Sequence, residues 1–139
     1  ARSETLPFNS PYEAIILASL IEIDTAHHQE KSMIAGVFLR RLAEGMRLQA
    51  DPSVIYALGD AYTGPLSKED LRIKSPYNTY RHEGLPLGAI GSVGYKSLYA
   101  AFHPDAGNSL YFVSKKDGSH AFADTYQEHK DNIQRYLNN

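Results

Sequence analysis

The sequence predicts a single α+β domain: mostly helical, with a small antiparallel β-hairpin and one long ordered loop lining a cleft. Three observations carry this. Ala14 to Ile23 is apolar nearly all round, the mark of a helix sunk in a core rather than laid on its surface. Leu110-Tyr111-Phe112-Val113 and His120-Ala121-Phe122 flank Lys116-Asp117-Gly118, the pattern of two short strands joined by a turn. Between residues 75 and 91, Ser-Pro, Gly-Leu-Pro and Gly-Ala-Ile-Gly steps interrupt any periodicity.

The elements follow in order. Ser10-Pro11-Tyr12-Glu13 opens the apolar helix, with an N-cap hydroxyl, proline in the first turn and Glu three residues after the cap. A second helix is expected over about 30–44: Ile34, Val37, Phe38 and Leu42 share a face, Arg40 and Arg41 sit near its C-terminal end, and Gly45 stops it. Asp51-Pro52 is expected to cap a short helix over 53–58, closed by Gly59. Ser67-Lys68-Glu69-Asp70 starts a further turn, and 93–102 forms a helix ended by His103-Pro104. Thr125-Tyr126-Gln127-Glu128 is a capping box for a C-terminal helix. No repeat or low-complexity tract divides residues 1–139, so they are expected to form one domain.

Composition narrows the function. Fourteen Lys and Arg against sixteen Asp and Glu give a formal charge of -2, which argues against nucleic acid as a partner. The absence of cysteine excludes disulfides, thiol nucleophiles and iron–sulfur clusters. Six histidines suggest a metal, but His27 and His28 are adjacent and no His-Glu-x-x-His occurs, so neither metal nor cofactor is expected. The longest apolar run is too short to span a bilayer, and Ala1-Arg2-Ser3-Glu4 has none of the features of a signal peptide. No membrane contact is expected of these residues; an export signal or anchor is expected upstream.

Glu22 is the foremost chemical candidate. At helical spacing it neighbours Ile15, Ala18 and Ser19, and Ile21 and Ile23 flank it, so its carboxyl is expected to be desolvated and its pKa raised, as a general acid requires. The small Ser19, one turn back, leaves space for a substrate. A structural pair with Arg40, Arg41 or Arg47 explains a buried Glu equally well. Asp24 falls on nearly the opposite side of the helix, which argues against a paired second carboxylate. Glu30 is expected at a solvated helix start, and Asp51 is better explained as a cap than as an acid. The loop Ser75-Pro76-Tyr77-Asn78-Thr79-Tyr80-Arg81, together with Gln49, offers the amides, hydroxyls and ring faces that sugars demand. Turn hydrogen bonding by Asn78 and Thr79, and packing by the tyrosines, are the competing explanation. His120 can project from a strand into a cleft or simply pack.

The order of these motifs resembles a known family. Leu17-Ala18-Ser19-Leu20-Ile21-Glu22, Gly45-Met46-Arg47-Leu48-Gln49-Ala50-Asp51-Pro52, Ser75-Pro76-Tyr77-Asn78-Thr79-Tyr80, Gly84-Leu85-Pro86 and Gly118-Ser119-His120-Ala121-Phe122 follow one another as in the endolytic murein transglycosylases of the MltG (YceG-like) family. The resemblance runs from Leu6 to the C-terminus. It implies cleavage within peptidoglycan glycan strands at the MurNAc–GlcNAc bond, with Glu22 as the catalytic residue and 1,6-anhydro-MurNAc ends as product. Ser19, Gln49, Tyr77, Asn78, Thr79, Tyr80 and His120 are the candidates for binding the substrate, on their residue types and positions. The resemblance further implies a membrane-anchored enzyme at the periplasmic, extracytoplasmic face, acting beside peptidoglycan synthases (penicillin-binding proteins) and setting glycan length. Two departures stand out: many members carry Glu-Lys-Glu where this chain has Glu22-Ile23-Asp24, and Gly-Leu-Pro-Pro where it has Gly84-Leu85-Pro86-Leu87. One acid suffices for such a reaction, because the attacking oxygen is the sugar's own C6 hydroxyl; hydrolysis ordinarily needs two carboxyl groups. A non-catalytic glycan-binding scaffold for the synthases is the alternative.

Overall fold

The computed structural model describes residue 8 and residues 10–25 and 27–137. Its first helix, α1 (Pro11–Asp24), runs through the middle of the domain, with Leu17, Ala18, Leu20 and Ile21 wholly buried. Ser10 occupies the N-cap in extended conformation, but its hydroxyl caps nothing; the entry turn is closed instead by Glu13 N–H donating to the Ser10 carbonyl. Around α1 pack α2 (His28–Ala43), α3 (Asp51–Leu58) and α4 (Tyr95–Phe102).

Helix α2 begins two residues earlier than expected and stops as expected at Gly45, whose φ of 72° suits a residue without Cβ. Gly36 lies where α2 meets residue 105; a Cβ there would stand 1.9 Å from Asp105 Oδ1, so only glycine allows the Arg40–Asp105 ion pair to cross at 3.1 Å. Two single turns of 3-10 helix (Gly59–Ala61 and Asp70–Arg72) follow α3. Helix α4 starts at Tyr95 rather than at 93, because the Gly94 N–H is taken by the Glu22 carboxylate.

Strands β1 (Tyr111–Ser114) and β2 (His120–Ala123) form the expected antiparallel hairpin, with Phe112 opposite Phe122 and Ser114 opposite His120. Phe112 meets Phe38 of α2 edge-on at 5.7 Å, which welds the hairpin to the helical core. Helix α5 (Tyr126–Leu137) packs on the hairpin, and its capping box is reciprocal: Glu128 N–H donates to Thr125 Oγ1 and Thr125 N–H to Glu128 Oε1. No helix among the described residues is long and apolar enough to cross a membrane.

Candidate active site

The last turn of α1 presents Glu22, Ile23 and Asp24 in different directions. The sequence-based expectation of a desolvated Glu22 with a raised pKa is overturned. Glu22 is exposed, because the apolar run faces the core on the other sides of α1 and leaves this one stripe wet. Its Oε1 accepts the Gly94 N–H at 2.9 Å and the Ser97 hydroxyl at 2.8 Å. Those two bonds, the backbone one first, hold its carboxyl below the usual value against a small opposing effect of burial, with help from the charges of Lys31 and His28. The buried pair with an arginine is absent too: Arg40 is bonded to Asp105, and Arg41 donates to the carbonyls of Leu110 and Arg47.

On the other side of that turn opens a cleft of about 600 Å³, lined by Asp24, Gln49, Asp51, Tyr80, Tyr111, His120 and His129 among others, but not by Glu22. Its walls come from the end of α1, the middle of α2, the turn into α3, the hairpin and α5. The long loop contributes only Tyr80; the rest of it lies elsewhere.

Asp24 is the outlying group in this cleft. As a residue it is half-buried, yet its Oδ2 is out of reach of water and has no hydrogen-bond partner. Burial first, and the negative charge of Asp51 second, push its pKa up to about 7. Asp51 itself is not the cap the sequence suggested. Ala50 holds the cap position, and the Asp51 carboxylate accepts the Tyr80 hydroxyl. Burial, followed by that bond, raises the Tyr80 pKa, so the phenol keeps its proton and remains a donor. His129, stacked on Tyr111 at 5.0 Å, has its pKa lowered by burial and then by Arg41, and its Nδ1 is buried without a partner. Gln49 reaches the cleft from a left-handed backbone (φ 52°), a conformation costly for any residue with a Cβ.

The seven sugar-holding candidates therefore divide. Gln49, Tyr80 and His120 line the cleft. Four do not. Ser19 is wholly buried, its hydroxyl donating to the Ile16 carbonyl and accepting the Ile90 N–H. Asn78 and Thr79 are also wholly buried, and their side chains stitch the long loop to residues 71–73 and to the start of α3. Tyr77 packs against Tyr56 at 4.8 Å. For these the packing explanation prevails, since every polar atom a sugar would need on Ser19, Asn78 and Thr79 is already committed.

Asp24 is the residue that sequence reasoning weighed only as a partner for Glu22 and set aside. A signal for it exists: a carboxylate in the last turn of a helix opposes the macrodipole, so it sits there at a cost that structure alone does not repay.

With this geometry in place, comparison with known proteins is informative. The YceG-like family matches residues 1–135. An endolytic murein transglycosylase of Bacillus subtilis (strain 168) is 41% identical over 128 residues, covering 92% of this chain and 35% of that protein. One from Streptococcus pneumoniae serotype 2 (strain D39) is 30% identical over 142 residues, covering 99% of this chain and 25% of that protein. A crystal structure of a yceG-like protein from Listeria monocytogenes superposes with a TM-score of 0.81 at 40% identity, covering 86% of this chain and 39% of that one. This chain thus spans about a third of the Bacillus relative's length and a quarter of the pneumococcal one's. A match across nearly the whole sequence, on a shared fold, means that the chain belongs to the YceG-like family.

Proposed function

We propose that this domain is a peptidoglycan transglycosylase that cuts inside glycan strands at the MurNAc–GlcNAc bond, with Glu22 as its catalytic residue. The observation that carries the reading is the exposed Glu22 carboxyl at the end of the central helix, its Oε1 held by the Gly94 N–H and the Ser97 hydroxyl while Oε2 makes no hydrogen bond among the described residues. In the free domain those bonds hold its pKa below the usual value; sugar rings packed against it displace water and disfavour the charged form. Protonated Glu22 donates to the glycosidic oxygen as the bond to the MurNAc anomeric carbon breaks. The C6 hydroxyl of the same sugar closes onto that carbon and its proton returns to the Glu22 carboxylate, giving a 1,6-anhydro end without consuming water, with the benefit of an intramolecular nucleophile.

Asp24 is the second reading. The cleft of about 600 Å³ that also presents Gln49, Tyr80 and His120 favours it, as does a pKa pushed up to about 7 by burial and by Asp51. Against it stands an Oδ2 closed off from solvent, out of reach of a glycosidic oxygen. The relatives are named for murein, a cell-wall polymer, which supports action outside the cytoplasm; action at the extracytoplasmic membrane face, limitation of strand length and work beside peptidoglycan synthases complete the proposal.

Digestion of purified, peptide-free glycan strands followed by mass spectrometry tests the reaction. A transglycosylase yields internal cuts with anhydro ends. Ends heavier by one water mark a hydrolase, and binding without new ends marks a scaffold; either result overturns the reading.

A further inference from the structure

We propose that Lys31, acting through Ser97, is the positioning residue that fixes which oxygen of Glu22 gives and takes the proton. This rests on the reading of Glu22 as the catalytic residue and deepens it.

Lysine is a surface residue as a rule, yet Lys31 of α2 is only 4% exposed. Its Nζ donates to the Thr25 carbonyl, just past the end of α1, at 3.1 Å and to the Ser97 hydroxyl of α4 at 2.7 Å. Among the described residues no carboxylate pairs with it directly. Two neutral acceptors repay little of the cost of taking an ammonium out of water, so the buried charge calls for an anion within reach. Glu22 is that anion, one hydroxyl away, and the charge of Lys31 helps to hold the Glu22 carboxyl below its usual value.

The bonds run one way. An ammonium has only protons to give, so Ser97 receives from Lys31 at a lone pair and turns its own proton onto Glu22 Oε1 at 2.8 Å. Ser97 is wholly buried, so water does not compete for that hydroxyl. The Gly94 N–H meets the same carboxylate oxygen at 2.9 Å. With both donors on Oε1, the proton that Glu22 carries resides on Oε2. An exposed side chain that would otherwise turn freely in solvent thereby offers one defined oxygen, first to the glycosidic oxygen and then to the C6 hydroxyl. Without Lys31 the Ser97 hydroxyl is free to receive from Glu22 instead of giving to it, and the proton is no longer confined to Oε2. The charged groups acting on Glu22, Lys31 and His28, both come from α2, while α4 supplies the uncharged Ser97 and Gly94 donors.

The test compares the wild-type chain with Lys31→Met, Ser97→Ala and the double variant on purified glycan strands, each checked by circular dichroism and melting. Each single variant is expected to lose about 10-fold to 10²-fold in kcat with KM little changed. The double variant is expected to lose no more than the worse single one, because Lys31 acts through Ser97. In both single variants the alkaline limb of kcat/KM is expected to move to higher pH, since each removes an influence that lowers the Glu22 pKa; His28 is the same in all of them. A merely structural Lys31 would lower the melting temperature of Lys31→Met and leave kcat and the alkaline limb unmoved, which overturns the proposal. Losses that multiply in the double variant overturn it too. If Lys31→Met does not fold, Ser97→Ala decides alone, wild-type kcat and pH profile overturning the proposal. Wild-type turnover in Glu22→Gln, or a wild-type digest without anhydro ends, is the distinct result that sinks the reading on which it rests.

Discussion

At the scale of the residue, Asp24 shows what the cleft costs the fold. Its carboxyl titrates near 3.8 when unfolded and near 7 when folded. Between those values the unfolded chain has released its proton while the folded one retains it, so raising the pH favours unfolding. The penalty is absent below about pH 4, grows to about pH 7 and is constant above that. Asp24→Asn is therefore expected to stabilise the protein by about 2 kcal/mol at pH 8, the cleft being open to solvent, and by almost nothing at pH 4. Melting curves at the two pH values check this; equal gains would contradict it. Asn78 is the opposite kind of residue. Its amide donates to the carbonyls of Leu71 and Ile73 at 3.0 and 2.8 Å, and its oxygen accepts the Tyr80 N–H at 2.9 Å. Asn78→Ala strands three backbone groups and is expected to cost about 2–4 kcal/mol, read as a fall in the denaturant midpoint. Sequence showed that both side chains were unusual but not which way they faced: a two-residue step along one helical turn separates Glu22 from Asp24, and only the packed surroundings reveal which side is wet.

Elements were far more legible. The buried helix, the stop at Gly45, the hairpin and the capping box of α5 rest on local chemistry that sequence displays directly. Where the expectation slipped, a long-range partner intervened: Glu22 takes the Gly94 N–H from residues distant in sequence, delaying α4, and Tyr80 takes Asp51 from its presumed cap. Helix α5 carries no fully buried residue, so its cap matters more than usual. Thr125→Ala is expected to cost about 1 kcal/mol and to speed amide exchange in the first turn of α5. Because α5 lends His129, Ile133 and Leu137 to the cleft, the same variant should raise KM more than it lowers kcat.

For the whole molecule, the cleft is assembled from α1, α2, the approach to α3, Tyr80, the hairpin and α5, so no single stretch of sequence encodes it. That is why Gln49, Tyr80 and His120 could be named in advance as sugar-seeking residue types, whereas the enclosed position of Asp24 beside them could not. The apolar run drew attention to Glu22 because it was the charge that broke the pattern; the fold resolves that break by putting Glu22 outside the core and gives the enclosed position to its neighbour two residues on. The proposed reaction on a glycan leaves two carboxyls to compare, Glu22 and Asp24. A side-by-side digestion of glycan strands at pH 7 by wild type, Asp24→Asn and Glu22→Gln, with released ends counted by mass spectrometry, decides this. Loss of about 10³-fold or more in Glu22→Gln, with folded Asp24→Asn retaining most of its turnover, is the predicted result. Full activity in folded Glu22→Gln, with Asp24→Asn inert, would contradict it.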